Sequence, residues 1–399
     1  MMRKIWWSAP AVLMFLLTIG CAAPSSFKQA DLDQMGLQLS WRAKAPQTRQ
    51  VLDIYPYKST VVIQVDEYSL FGFDRASGKS QWAVGYGSKL IGAPAEYENF
   101  LYIVSGAQIS EVDEVTGFGK QKMPLKIAPV SGAIANSKYV VVSTLDNEIH
   151  ALSRLEGRPQ WSKNAGMPVR NRPTFGEGMV FFGSDNKTIY AVNESDGKLA
   201  WTFDAGGLLA GPMVYEKNRI YMTLFQGSVM AISRFERKRW SDKVLWEFPI
   251  TEPFMEGPKL GKGLLFCIDT ANHLWVIDIT PDTEETPAPA SAPSAQKPAE
   301  SPTAAEAAAA SAAAPKPVKP FKGPIWDLAG VKCVAGVSDR YAYLATPRGT
   351  LKKVDLKDGK VVAEMRLPPC QAIATNPLSG EIYLANKRGD LCQLKEKNP

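Results

Sequence analysis

At 399 residues with 45% apolar and 22% charged side chains, the chain has ample material for a large folded core. Its formal net charge of +6 is mild and no nucleic-acid motif accompanies it, which argues against nucleic-acid binding; two histidines leave little for imidazole chemistry. No Gly-x-Ser-x-Gly elbow, phosphate loop or zinc spacing is present.

The N-terminus reads as an export signal. Arg3 and Lys4 precede an apolar run from Ile5 to Gly20, too short and too interrupted by Pro10 to span a bilayer, which ends at Cys21. Leu17-Thr18-Ile19-Gly20-Cys21 resembles a bacterial lipobox, with Thr18 where leucine is usual. That resemblance implies a signal peptide over residues 1–20, lipidation of Cys21, and a tether over 21–37. Ala22, in place of a sorting aspartate, favours the outer membrane over the inner.

Beyond the tether the chain is made of copies. Val61 to Trp82, Tyr139 to Trp161 and Met179 to Trp201 each contain an apolar run, a polar turn, a second apolar run, a turn glycine and, four residues on, tryptophan. Strand pairs begin near Val61, Leu101, Tyr139, Met179, Arg219, Gly263, Arg340 and Glu381. The tryptophan slot falls at Trp41, Trp82, Trp161, Trp201, Trp246 and Trp326 and is degenerate at Met123 and Ala363. Eight copies at a period near forty predict an all-β, eight-bladed propeller of four-stranded antiparallel blades over residues 38–280 and 323–399. The first slot has no strand pair before it and the last pair has no tryptophan after it, so the N-terminal strand is expected to join the C-terminal blade and close the ring.

The turns at Gly78, Gly197 and Gly359 read as hairpin connections in which Asp or Asn bonds the local backbone and glycine takes a positive φ, and Gly157 holds the same place in its copy. Small residues and proline at Gly92-Ala93-Pro94, Ala128-Pro129, Arg172-Pro173, Gly211-Pro212 and Gly257-Pro258 suit the start of each innermost strand, where backbones crowd. The fifth copy carries a longer turn with Arg234, Arg237, Lys238, Arg239 and Lys243. This is the most distinctive loop available to an acidic partner or to phospholipid headgroups. Residues 281–322, with 9 Pro and 14 Ala, lack the bulky apolar side chains to support a fold and are expected to be a disordered insertion in the sixth blade. Cys267, Cys333, Cys370 and Cys392 read mainly as buried small hydrophobes. A 333–370 bridge stays open, whereas two strand spacings, about 9 to 10 Å, separate 370 from 392.

The strand, Asp-x-x-x-Gly-Lys turn and tryptophan pattern resembles the PQQ-like β-propeller repeat family, which includes quinoprotein alcohol dehydrogenases and the BamB-type lipoproteins of the outer-membrane β-barrel assembly machinery. Within that family the dehydrogenases share a vicinal cysteine pair, a calcium shell and often a Cys-x-x-Cys-His segment. None of these occurs here, and His150 and His273 read as strand surface. The resemblance therefore implies a lipid-anchored periplasmic scaffold on the outer membrane, monomeric, without catalytic residues, metal or cofactor, that binds envelope proteins. The competing reading is a quinone- or sugar-binding propeller, an oxidoreductase or a sensor. Its ligand would sit at the channel mouth near Lys89, Lys126, Arg170, Arg172, Glu252 and Glu256.

Overall fold

The computed structural model describes residues 27–45, 51–237, 239–280, 323–370 and 372–397; Cys21, Lys238 and the 281–322 segment lie outside the described residues. Eight four-stranded antiparallel sheets follow one another around a ring. Blades 1 to 7 occupy residues 53–85, 95–124, 134–164, 174–204, 214–249, 259–329 and 333–366, each running from its innermost to its outermost strand. Blade 8 holds residues 372–396 together with the N-terminal strand Leu37–Lys44 as its outermost member, in register at Trp41 with Gln393 and at Lys44 with Asp390. The expected closure of the ring is therefore present.

The repeat explains the elements. Second strands such as Thr60–Gln64 and Tyr139–Ser143 are nearly continuous apolar runs because both sheet faces are covered by neighbouring blades. Third strands alternate, and a bulge recurs where the third strand meets the outermost one, for example between Gly72 and Phe73, Ala151 and Leu152, and Ala191 and Val192. The extra residue re-aims the adjoining tryptophan. The core follows the same logic: eight apolar clusters, each shared by two successive blades, replace a single central core. At the inner ends the backbones do crowd, since a Cβ on Gly211 would come 2.1 Å from the Gly257 nitrogen.

Part of the stretch read as a tether is ordered. Gln29–Met35 is a helix ended by Gly36 in the left-handed region, and it buries Leu32 and Met35 in the cluster between blades 7 and 8. Lys353 Nζ donates to the Met35 carbonyl at 3.0 Å, and Lys397 pairs with Asp33.

Closure is also fastened by a polar latch. Arg75 of blade 1 reaches blade 8, with its Nη2 2.6 Å and its Nε 2.7 Å from Glu381 Oε2, while its Nη1 donates to the Tyr57 carbonyl at 2.7 Å. Tyr383 donates to the same carboxylate at 2.6 Å and receives a bond from Gln393. Burial alone would raise the Glu381 carboxyl, but the hydrogen bonds from Tyr383 and Arg75 outweigh it and hold it below its ordinary value. A depressed carboxyl contributes stability above its unfolded pKa of about 4.3 and loses it as pH falls through the lower folded value. Arg75→Met is therefore expected to lower the melting temperature at pH 7. The gap to wild type should narrow as pH falls below about 4; a gap constant from pH 7 to pH 3 would remove Glu381 from the latch.

Candidate functional site

The most regular contact in the molecule joins blades. Five of the six tryptophans on outermost strands lie over the turn of the next blade and donate the indole N–H to a turn carbonyl. Trp41 donates to Arg75 at 3.0 Å, Trp82 to Glu114 at 2.8 Å, Trp161 to Glu194 at 2.8 Å, Trp201 to Arg234 at 2.8 Å and Trp326 to Leu356 at 2.7 Å. The turn glycine is the floor beneath the ring: a Cβ on Gly78, Gly117, Gly197 or Gly359 would fall 2.4 to 2.7 Å from an atom of the incoming indole. Gly157 meets Gln121 and Met123 instead, as the degenerate slot requires. Trp246 is 9% exposed and stacks at a tilt on Tyr221 within its own blade. From sequence alone Gly78, Gly157, Gly197 and Gly359 read as local turn formers. The signal for the interblade role was their fixed spacing to the tryptophan, which one blade alone does not need.

The long fifth turn uses its charges for the same purpose. Lys243 is buried, sits 3.1 Å above the centre of the Trp201 ring and donates to the Phe235 carbonyl at 2.8 Å. Arg234 is half-buried, paired with Glu177 at 3.2 Å and bonded to Asn218 at 2.8 Å. Arg237 lies partly buried against Phe235, Arg239 is exposed, and Lys238 is outside the described residues.

The channel-mouth candidates separate into two groups. Lys89 and Arg170 are exposed and paired with Glu67 and Asp185 at 2.6 and 2.7 Å; Glu252 is exposed; Lys126 lines a small side cleft with His150. Arg172 and Glu256 face the axis. Arg172 is felt by Tyr57 from three blades away, and Glu256 and Lys259 by Asp53 across the ring, couplings that only the axis permits. Burial lowers the Arg172 guanidinium, its Nε has no hydrogen-bond partner, and burial pushes the Tyr57 phenol well above its ordinary range. Burial likewise raises Asp53, and Glu256 pushes the same way. The axis is thus a mixed polar lining.

Other chemistry-bearing groups serve packing. Burial pushes the Cys333 and Cys392 thiols up to about 12 and raises Cys267 and Cys370, so none is poised as a thiolate; all four are free thiols. His150 sits 3.5 Å from Asp146 and 3.6 Å from Glu148, and His273 bonds Asp327 at 2.6 Å while stacked on Trp275.

An exposed apolar arc occupies one end of the ring. The loops between blades and the turns between second and third strands share that end and bond each other: Leu145 N donates to Ala128 at 3.0 Å, Asp185 N to Pro168 at 2.9 Å and Phe225 N to Leu208 at 2.8 Å. On these segments Leu145, Met167, Leu208, Phe225 and Met255 project into solvent from four consecutive blades, Leu145 being 66% and Met255 63% exposed. A second set, including Phe118 and Leu155, lies on the rim of the opposite end. Apolar side chains held out by rigid turns can contact a protein surface; they offer no acid, base or nucleophile.

Comparison with known proteins agrees with this picture. Residues 105–242 match the family described as outer membrane protein assembly factor BamB. A stretch of 102 residues is 28% identical to BamB of Yersinia pestis, covering 25% of this chain and 25% of that relative. The crystal structure of BamB from Moraxella catarrhalis superposes with a TM-score of 0.63 at 12% identity, over 91% of this chain and 98% of that one. The computationally designed Ika8 protein gives 0.61 at 12% identity, over 89% and 99%. Likeness at that identity speaks for the fold alone. Repeat and ring make this chain an eight-bladed β-propeller, and its residues 105–242 are similar to the BamB family.

Proposed function

We propose that the chain is a non-catalytic scaffold of the bacterial envelope, anchored through a lipid on Cys21 to the outer membrane and facing the periplasm. It assists the assembly of outer-membrane proteins by binding other proteins of the envelope, as the name of the family matched by residues 105–242 suggests. The observation that carries the reading is the apolar arc of blades 3 to 6: exposed Leu, Met and Phe on short, hydrogen-bonded loops are the material of an interface hot spot. The turn bearing Arg237, Lys238 and Arg239 lies at the other end of the ring and supplies charge at the rim of a contact rather than its centre.

The combined variant Leu145→Ser, Phe225→Ser, Met255→Ser is expected to reduce recovery of crosslinked envelope partners at least tenfold with a melting temperature within a few degrees of wild type. Charge reversal at Arg237, Lys238 and Arg239 should weaken recovery less and make it more salt-dependent. Full recovery by the triple serine variant, or dye-linked alcohol or sugar oxidation by the purified protein with calcium and pyrroloquinoline quinone, would overturn the reading. Metabolic palmitate labelling, lost in Cys21→Ser, tests the anchor.

A further inference from the structure

Two adjoining cavities open at the junction of blades 7 and 8, beside the point where the described chain begins. Their volumes are about 320 and 560 Å³, and both are walled by Phe27, Pro368, Pro369 and Cys370. Ala43, Leu384 and Leu391 make the wall of the first apolar. Five exposed cations line this groove: Lys28 before the N-terminal helix, Arg42 and Lys44 on the outermost strand of blade 8, and Arg348 and Arg366 of blade 7. None of the five is ion-paired to a described residue. The acids lining the two cavities are Asp31 and Asp390, and Asp390 accepts a hydrogen bond from Asn386 at 2.7 Å.

An apolar groove bordered by unpaired cations suits an anionic amphiphile better than it suits a peptide, whose backbone would find few partners among these side chains. Its position decides the source. Phe27 is six residues from Cys21, and six residues span at most about 20 Å when fully extended. On the anchored reading above, this sector cannot stand far from the bilayer surface. We propose that the blade 7–8 groove binds anionic phospholipid of the membrane, with headgroup phosphates at Arg42, Lys44, Arg348 and Arg366 and the apolar walls against the glycerol and first methylenes. The lipid would fix the ring's orientation on the membrane, with the groove and the apolar arc of blades 3 to 6 in different sectors of the same end of the ring.

The test uses the full mature chain carrying Cys21→Ser, so that no acyl chain contributes. Cosedimentation with phosphatidylcholine vesicles is expected to be weak, and vesicles containing phosphatidylglycerol should bind at least tenfold better, with the gain lost in high salt. Arg42→Glu/Lys44→Glu and Arg348→Glu/Arg366→Glu should each remove at least tenfold of that gain, at roughly fivefold per cation near an anionic surface. The exposed pair Lys122→Glu/Arg158→Glu, on blades 2 and 3, should leave it nearly unchanged. Equal binding to both vesicles, or equal weakening by all three pairs, would overturn the site. Because the chain is unacylated here, failure of this test is distinguishable from loss of palmitate label on the wild type.

Discussion

Removing residues 381–399 is expected to abolish cooperative folding, not merely lower the melting temperature. The deletion takes away the whole second and third strands of blade 8, so Leu37–Lys44 loses its only hydrogen-bonded neighbour in the sheet. It removes Ile382, Tyr383, Leu384, Leu391 and Leu394, all at most 3% exposed, from the clusters that join blade 8 to blades 7 and 1. At about 1.5 to 3 kcal/mol for each fully buried large side chain, the loss is roughly 7 to 15 kcal/mol, against a total stability of about 5 to 15 for a natural protein. Arg75 also loses Glu381 and Tyr383, leaving a half-buried guanidinium without its carboxylate. Circular dichroism and urea unfolding should show a broad transition, with aggregation through the two opened edges. A sharp transition within a degree or two of wild type would mean that the ring does not depend on the shared blade.

That dependence was legible in the mismatch between Trp41 and the Glu381 pair because closure is a matter of counting, and counting needs only the repeat. The position of each strand was legible for a related reason: the second strands are buried on both faces, so their apolar runs, Val61 to Ile63 or Val140 to Val142, do not depend on which neighbour covers them. What lay beyond the sequence depends on the neighbouring blade. Lys243 and Arg234 resembled free loop charges because nothing local reveals that Trp201 and Glu177 wait beside them. Lys89, Arg170 and Arg172 look alike in sequence and differ only in what faces them: Glu67, Asp185, and the ring axis. The apolar arc has no periodic signature: Leu145, Met167 and Leu208 sit in turns and interblade loops, where exposure is decided by loop geometry.

The interblade latch yields a prediction that separates it from a simple turn. Gly359 has a φ of 71°, and a Cβ there would lie 2.7 Å from Trp326 Cγ, whose indole donates to Leu356 two residues before the turn's end. Gly359→Ala therefore meets two costs: about 1 to 2 kcal/mol for a left-handed non-glycine residue and about 1 to 3 for displacing a packed ring. Gly349 has a φ of 76° with nothing within 4 Å of its would-be Cβ, so Gly349→Ala should show the first cost alone. Trp326→Ala should cost about 3 to 5 kcal/mol by emptying the space between blades 6 and 7 and leaving the Leu356 carbonyl without its donor. In that background the clash no longer exists, and Gly359→Ala should fall to the 1 to 2 kcal/mol of backbone strain. The double-mutant cycle, read by urea denaturation, is thus expected to give a coupling of about 1 to 3 kcal/mol between residues 33 positions apart on successive blades. Additive costs would mean that glycine serves the hairpin alone; a coupling of this size would mean that Trp326 is seated by the turn of the next blade, a contact that Trp41, Trp82 and Trp161 repeat over Gly78, Gly117 and Gly197, so that the ring is fastened at several junctions and not only where its ends meet.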